Sequence, residues 1–313
     1  MLKNMVKTLL FWAVFLGIFL GVSTIFIPKD NTEAAGIHAA DAKGFLGEDP
    51  QSLDVLFVGD SEALCSFVPL RIWDRYGIPS YVCAGGDQMI YQCFSYVERF
   101  LETQSPRIVF LETNTLYRPY TVADIMGHHA QEVFPYLRYH DRWKDLRSED
   151  FGSKVEFTGT VRDRGYNYRT ETSYTDTTGY MEPSEEMEPV PFMSQVYVNR
   201  ILRLCQNSGA QLILVSTPSP TNWNTYCHNG VEAMAEELGI PYLDLNLMSG
   251  EVPIDWTKES FDSGDHLNYD GAVKVSDYLG RYLWDTGKFE DKRGLAEYEH
   301  WQEDLEDFYN EIA

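Results

Sequence analysis

The chain has 313 residues and a formal net charge of −23. Such an acidic chain repels a phosphate backbone and carries no basic stripe to offset this, which excludes nucleic acid as a partner class. Hydrophobic residues make up 44%, enough for a sizeable core. The five cysteines (Cys65, Cys83, Cys93, Cys205 and Cys227) are odd in number and lack a C-x-x-C pair, which argues against a zinc site or a disulfide framework.

The first element is the uncharged run Thr8–Pro28, preceded by Lys3 and Lys7. It is long enough to cross a bilayer, and lysines before it favour an inside N-terminus with the rest of the chain outside the cytoplasm. A cleaved signal peptide is the competing reading, but "IFIPKD" is a poor cleavage site and "TEAAG" lies late, so an uncleaved anchor is expected over residues 1–28. Residues 29–50 read as a stalk.

Apolar β-prone runs then alternate with helical patterns. Strands are expected at Asp54–Gly59, Ser80–Gly86, Arg107–Thr113, Gln211–Thr217 and Pro241–Asn246, and helices at Ile90–Thr103, Phe192–Asn207, Asn229–Leu238 and Tyr269–Asp285. Continuous apolar strands covered on both faces by crossover helices imply a three-layer, doubly wound α/β domain with a parallel five-stranded sheet, spanning residues 51–290. Tyr117–Pro191 is far longer than a crossover needs and reads as an insertion over the sheet's edge, partly helical near Glu132–Leu146. In the tail, 291–313, Leu295, Tyr298, Trp301, Leu305, Phe308 and Ile312 recur at helical spacing, predicting an amphipathic helix packed on the domain.

In open α/β sheets, ligands sit outside the carboxyl ends of the strands. The residues expected there are Gly59-Asp60-Ser61, Gly85-Gly86-Asp87, Asn114, Thr217-Pro218-Ser219 and the segment Phe261–Ala272 with His266. Each has a plainer reading: Ser61 as a helix cap, the glycines as turn formers, Asn114 as a loop residue, His266 as a residue before a cap. Together they supply a nucleophile, oxyanion donors and a histidine flanked by acids at one edge. Elsewhere, His128–His129 lacks further ligands at metal spacing. His140, Asp141 and Arg142 fit a surface helix, and Tyr91 and Trp223 are as consistent with burial as with ligand contact.

These motifs resemble the blocks of the SGNH/GDSL superfamily of serine esterases and acyltransferases, whose domain is flavodoxin-like. "VGDS" matches the first block, "FLETN" stands at the third, and "DSGDHLNYDGA" resembles the last. The resemblance implies Ser61 as nucleophile, His266 as base, an acid behind it, and Gly85 or Gly86 with Asn114 as the oxyanion hole. The family's D-x-x-H is altered, because Ser263 precedes His266 by three and the acids are Asp262 and Asp265. Asp262 is favoured because it can reach back across a turn. In the third block, Glu112 and Thr113 stand where a glycine is usual. With the anchor, the chain is more similar to membrane-tethered proteins of bacterial surface-polymer O-acylation, of the alginate O-acetyltransferase and D-alanyl transfer type.

Two functions follow from that resemblance. One is an extracytoplasmic serine esterase or O-acyltransferase acting on acyl esters of a surface polysaccharide, with an acylated glycan or acyl donor as ligand and, for a transferase, a membrane-bound acyltransferase partner. The other is a catalytically inactive glycan-binding or assembly subunit of an envelope complex. A scaffold whose acidic face binds a cationic partner would explain the charge but not the motifs. Neither a cofactor nor a metal is expected.

Overall fold

A computed structural model describes every residue except Ser153 and Ala313. Five strands, β1 (Val55–Gly59), β2 (Ser80–Ala84), β3 (Ile108–Glu112), β4 (Gln211–Ser216) and β5 (Tyr242–Asp244), form one sheet in the order β2-β1-β3-β4-β5. All four pairings are parallel, with Val55 opposite both Ser80 and Ile108. Every residue of β1, β2 and β3 is buried, as continuous apolar runs require when helices cover both faces.

On one face, Val55, Phe57, Phe110 and Val215 pack with Ile72 of the Pro69–Tyr76 helix and with Val275, Leu279 and Leu283 of the Tyr269–Asp285 helix. Phe57 and Phe110 stack across the strands at 5.1 Å. The Ile90–Phe100 and Phe192–Ser208 helices pack against each other, with the Arg200 guanidinium 3.9 Å over the Phe94 ring. The expected three-layer doubly wound domain is therefore present. Chain order reverses between β1 and β3, the kind of switch point beyond whose strand ends, here Gly59 and Glu112, ligands sit in open α/β sheets.

The chain divides into two compact units, one of residues 1–40 with 120–159, the other of residues 41–119 with 160–313. This revises the linear division read from the sequence. Residues 29–50 are folded and hydrogen-bonded, not an open stalk. Asn31 is buried, donating to Gly159 O at 2.6 Å and accepting from Gly159 N at 2.8 Å, and Phe45 is fully buried. The insertion is split between the units. Its first part holds an unforeseen helix, Val122–Val133, started by a capping box between Thr121 and Asp124. The helix expected over Glu132–Leu146 is broken at Pro135 into Pro135–Tyr139 and a 3-10 turn, His140–Lys144. The second part reaches the free edge of the sheet, where Val82 N of β2 donates to Arg164 O at 2.9 Å. Gly165 follows because a Cβ there would lie 2.0 Å from Val82 O.

The C-terminal helix runs over Glu299–Ile312, so Leu295 lies before it and stays exposed. Trp301, Leu305 and Phe308 are its buried stripe. Trp301 meets Trp73 at 5.2 Å between ring centroids and carries the Arg164 guanidinium 4.4 Å over its ring. Arg164 is fully buried and ion-paired with Glu48 (3.2 Å) and Asp304 (2.6 Å). Trp301→Ala leaves a void under a buried charge and is expected to lower stability by about 3–5 kcal/mol, read as a fall in the urea midpoint. An unchanged midpoint would show that the tail helix contributes nothing to the domain.

Candidate active site

The site begins where β1 runs out of apolar residues. Asp60 is fully buried, and its side chain caps the Ser61–Ser66 helix by accepting from Glu62 N at 2.9 Å. The cap is therefore Asp60, and Ser61 is the first helical residue with its hydroxyl free of capping duty. Gly59 makes this turn possible, since a Cβ there would lie 2.6 Å from Glu112 Cβ and 2.8 Å from Ala63 Cβ. The Ser61 hydroxyl accepts from Arg118 Nη2 at 3.3 Å. Arg118 also donates from Nε to Asp60 Oδ2 and from Nη1 to Asp87 Oδ1 at 2.5 Å.

Gly85 is partly exposed and Gly86 exposed after β2. A Cβ on Gly86 would meet nothing within 4 Å. The left-handed residue of this turn is Asp87 (φ 53°), so the glycines are not needed for its conformation and leave backbone open beside the crevice. After β3, the Asn114 amide points at Asp60, donating from Nδ2 to Oδ2 at 2.9 Å, while its backbone N–H donates to both Glu112 carboxyl oxygens at 3.0 Å.

The histidine is carried by the loop before the Tyr269–Asp285 helix, whose N-cap is Asn268. Ser263 (φ 65°) and Gly264 (φ 92°) are both left-handed and fold the chain back on itself. Asp262 thereby reaches its fourth neighbour, accepting from His266 N at 2.7 Å with Oδ1 and pairing with His266 Nδ1 at 2.6 Å with Oδ2. Asp265 Oδ2 lies farther from Nδ1, at 3.7 Å, and Asp265 Oδ1 accepts instead from Asn222 Nδ2. Ser219 Oγ fastens the loop by donating to Asp265 O (2.8 Å) and Gly264 O (3.1 Å). Phe261 stacks on the imidazole at 5.6 Å. His266 Nε2 is buried and makes no hydrogen bond among the described residues.

Between the serine and histidine segments lies Glu62, which the sequence reading passed over. It is buried and accepts from Asn222 Nδ2 at 2.7 Å. Carboxyl oxygens of Glu62 and Asp265 and a ring nitrogen of His266 fall within 4.8 Å of one another. Asn222 donates into both acids, and Asp262 holds the ring. Glu62 and Asn222 thus join the two motifs, and Arg118 joins Ser61 to Asp60. The signal for Glu62 was its place beside Ser61. Asn222 lies in the "SPTNWN" stretch, where the aromatic residue drew attention.

That aromatic, Trp223, is buried and donates from Nε1 to Asp244 at 3.0 Å, and Tyr91 is also buried, so both are structural. His128 and His129 both pair with Glu132, at 3.2 and 3.1 Å. Arg142 is buried in the other unit, bonded to Phe26 O and Asp150, each at 2.7 Å, and is no part of a surface helix. All five cysteines are free and buried. Burial pushes the Cys65 thiol up to about 12, which keeps it from forming a reactive thiolate near neutral pH.

No protein-family model matches the chain, and no curated protein matches it in sequence. Among solved structures it is similar to the psychrotrophic esterase EstA from Pseudoalteromonas sp., at 10% identity and TM-score 0.40, covering 75% of this chain and 99% of that one. It is similar to a GDSL-like lipase from Bacteroides thetaiotaomicron at 12% identity and TM-score 0.37, over 81% and 95% of the two chains. It is also similar to the acetyl xylan esterase AlAXEase, at 11% identity and TM-score 0.40, over 74% and 100%.

Glu112 is fully buried, and its pKa is raised well above the usual carboxylate range, first by burial and then by the charges of Asp60 and Glu62. Its native state therefore keeps a proton that the unfolded chain releases above about 4.3. The stability from that proton is complete below the unfolded value and is lost as pH rises through the raised folded value. Glu112→Gln stays neutral throughout. Its urea-derived stability relative to the parent is expected to climb as pH rises above about 4.5, by up to about 1.4 kcal/mol per pH unit. A difference that stays flat from pH 4 to 8 would show that Glu112 ionises normally.

Proposed function

We propose that the chain is a serine ester hydrolase working through an acyl-Ser61 intermediate. The observation that carries this is the Asp262–His266 pair, with Nδ1 held at 2.6 Å, Nε2 without a hydrogen bond among the described residues, and a ring nitrogen within 4.8 Å of a carboxyl oxygen of Glu62, the residue after Ser61. An imidazole locked through Nδ1 keeps its other nitrogen as a proton acceptor. Arg118 can only donate, so its hydrogen bond leaves the Ser61 O–H proton free to pass to a base and favours the alkoxide that results.

The chemistry then follows from charge. His266 Nε2 takes the Ser61 proton as Oγ attacks the ester carbonyl, and Asp262 stabilises the imidazolium. The developing oxyanion is met by the Ser61 N–H, a Gly85 or Gly86 N–H, and the Asn114 amide, whose second N–H is not needed by Asp60. Collapse of the intermediate expels the alcohol with the proton from His266. Water activated by the same base then releases the acid.

A sugar hydroxyl in place of that water would make the enzyme an O-acyltransferase, with the acyl donor supplied by a membrane-bound partner. Polysaccharide esters outside the cell are the substrate class we infer, because the N-terminal helix suits a tethered ectodomain and the acidic chain does not suit nucleic acid. The second reading, an inactive glycan-binding or assembly subunit, is favoured by one feature: Arg118 and Asp60 occupy the Ser61 hydroxyl and the Asn114 amide.

The full chain in detergent is expected to turn over 4-nitrophenyl acetate and to take up a fluorophosphonate probe at Ser61, both lost in Ser61→Ala. Absence of labelling in the parent would sink the hydrolase and leave the binding subunit. The two acids separate by their geometry. Asp262→Asn should lower kcat by about 10³- to 10⁴-fold, because the ring loses its tautomer lock. Asp265→Asn, which leaves the lock intact, should cost less than about tenfold. The reverse ranking would refute the assignment of Asp262.

A further inference from the structure

The Leu2–Ser23 helix, with the turn to Phe26, is long and apolar enough to cross a bilayer. Its last turns are not bare. The Phe19 ring lies 5.4 Å from Phe134 and 6.0 Å from Tyr136, Phe26 meets Tyr136 edge-on at 4.9 Å, and Tyr136 N donates to Ser23 Oγ at 2.8 Å. At about 1.5 Å per residue, Phe19 precedes Phe26 by about 10 Å along the axis. The run from Thr8 to Phe26 is about 27 Å long, close to the roughly 30 Å of a hydrocarbon core. A span seated on that run holds Phe134 and Tyr136 at the edge of the apolar layer rather than clear of it.

The neighbouring segment is built for that depth. Val122, Met126 and Val133 are 65%, 67% and 61% exposed, and Leu137 on the next short helix is 44% exposed. Spacings of four and seven place the first three on one face of the Val122–Val133 helix, whereas Asp124 lies about half a turn away. Tyr136 and Trp143 are exposed amphipathic aromatics of the kind that settle at headgroup level. An apolar stripe of this kind is a liability in water.

We propose that Val122–Leu137 is a second membrane element, a non-spanning pair of helices lying in the lipid boundary where the Leu2–Ser23 helix leaves the bilayer. Val122, Met126, Val133 and Leu137 enter the acyl edge, and Tyr136 and Trp143 sit among headgroups. The occupant of the stripe is lipid, because the same segment is already clamped to the spanning helix. The net charge of −23 makes apolar burial, not attraction to anionic lipid, the binding force. The inference is independent of the chemistry at Ser61.

The test uses the full chain in phosphatidylcholine nanodiscs, with an environment-sensitive fluorophore on Met126→Cys or Val133→Cys. Leu16→Cys serves as the deep control and Glu237→Cys as the aqueous control, and the native cysteines are buried. The expected result is at least twofold quenching at both test positions by shallow spin-labelled lipid, with deeper label more effective at Leu16 and no quenching at Glu237. Emission at 126 and 133 matching Glu237 would overturn the proposal. So would a blue shift without lipid quenching, which would mean that protein covers the stripe, or an unquenched Leu16, which would remove the span itself.

Discussion

The site depends on the buried carboxylate of Asp60. Its Oδ1 starts the helix that bears Ser61, and its Oδ2 receives the Asn114 amide and the Arg118 guanidinium. Burying a carboxylate is costly unless its lone pairs are filled and its charge is matched. Here the matching cation also touches the Ser61 hydroxyl, so the residue paired with Asp60 also polarises Ser61. Glu112 and Glu62 lie close enough to be coupled electrostatically to Asp60, and both have pKa values raised by burial first and then by their acidic neighbours.

Two local features of the sequence take their meaning from this crowding and from the turn before His266. Glu112 adds an acid to the pocket, where burial and then the charges of Asp60 and Glu62 raise its pKa, and its oxygens accept the Asn114 backbone N–H. The contact between Asp262 and His266 is a matter of backbone geometry. With three residues between them, an ordinary turn would throw Asp262 away from the ring. Two consecutive left-handed residues, one of them the non-glycine Ser263, shorten the path so that Asp262 grips both the backbone and the ring of His266. Left-handed backbone costs a serine free energy, and Ser173 Oγ, which accepts from Ser263 N at 2.6 Å, helps to hold it there.

The sheet was legible because its strands are short apolar runs between turn residues, and periodicity reports such runs directly. The positions of Ser61, after a strand, and of His266, before a helix, were legible from the same pattern, whereas the pairing of Asp262 with His266 depends on a turn. Glu62, Asn222 and Arg118 were not, because nothing local marks them. Glu62 is a charge on a helix that faces inward, Asn222 is a loop amide, and Arg118 opens a long insertion; each acquires meaning only through a partner more than 50 residues away. The stalk failed for a related reason. Mixed polar composition suits an exposed linker, but Asn31 and Asp30 are pinned by Gly159 and Thr158, and such long-range hydrogen bonds have no sequence signature.

The insertion contributes to both compact units with one stretch of chain. Its second half pairs with the edge of β2 through Arg164 O, and that arginine in turn holds the tail helix through Trp301, Glu48 and Asp304. Its first half has no sheet to protect. No residue of the Val122–Val133 helix is fully buried, so tertiary packing supports it weakly, and a twelve-residue helix is marginal in water on its own. A capping box starts it and Pro135 stops it, which fixes where the helix lies but leaves its apolar face uncovered. On the proposal above, lipid supplies the burial that normally stabilises an amphipathic helix, and the contact with Phe19 limits where that lipid lies.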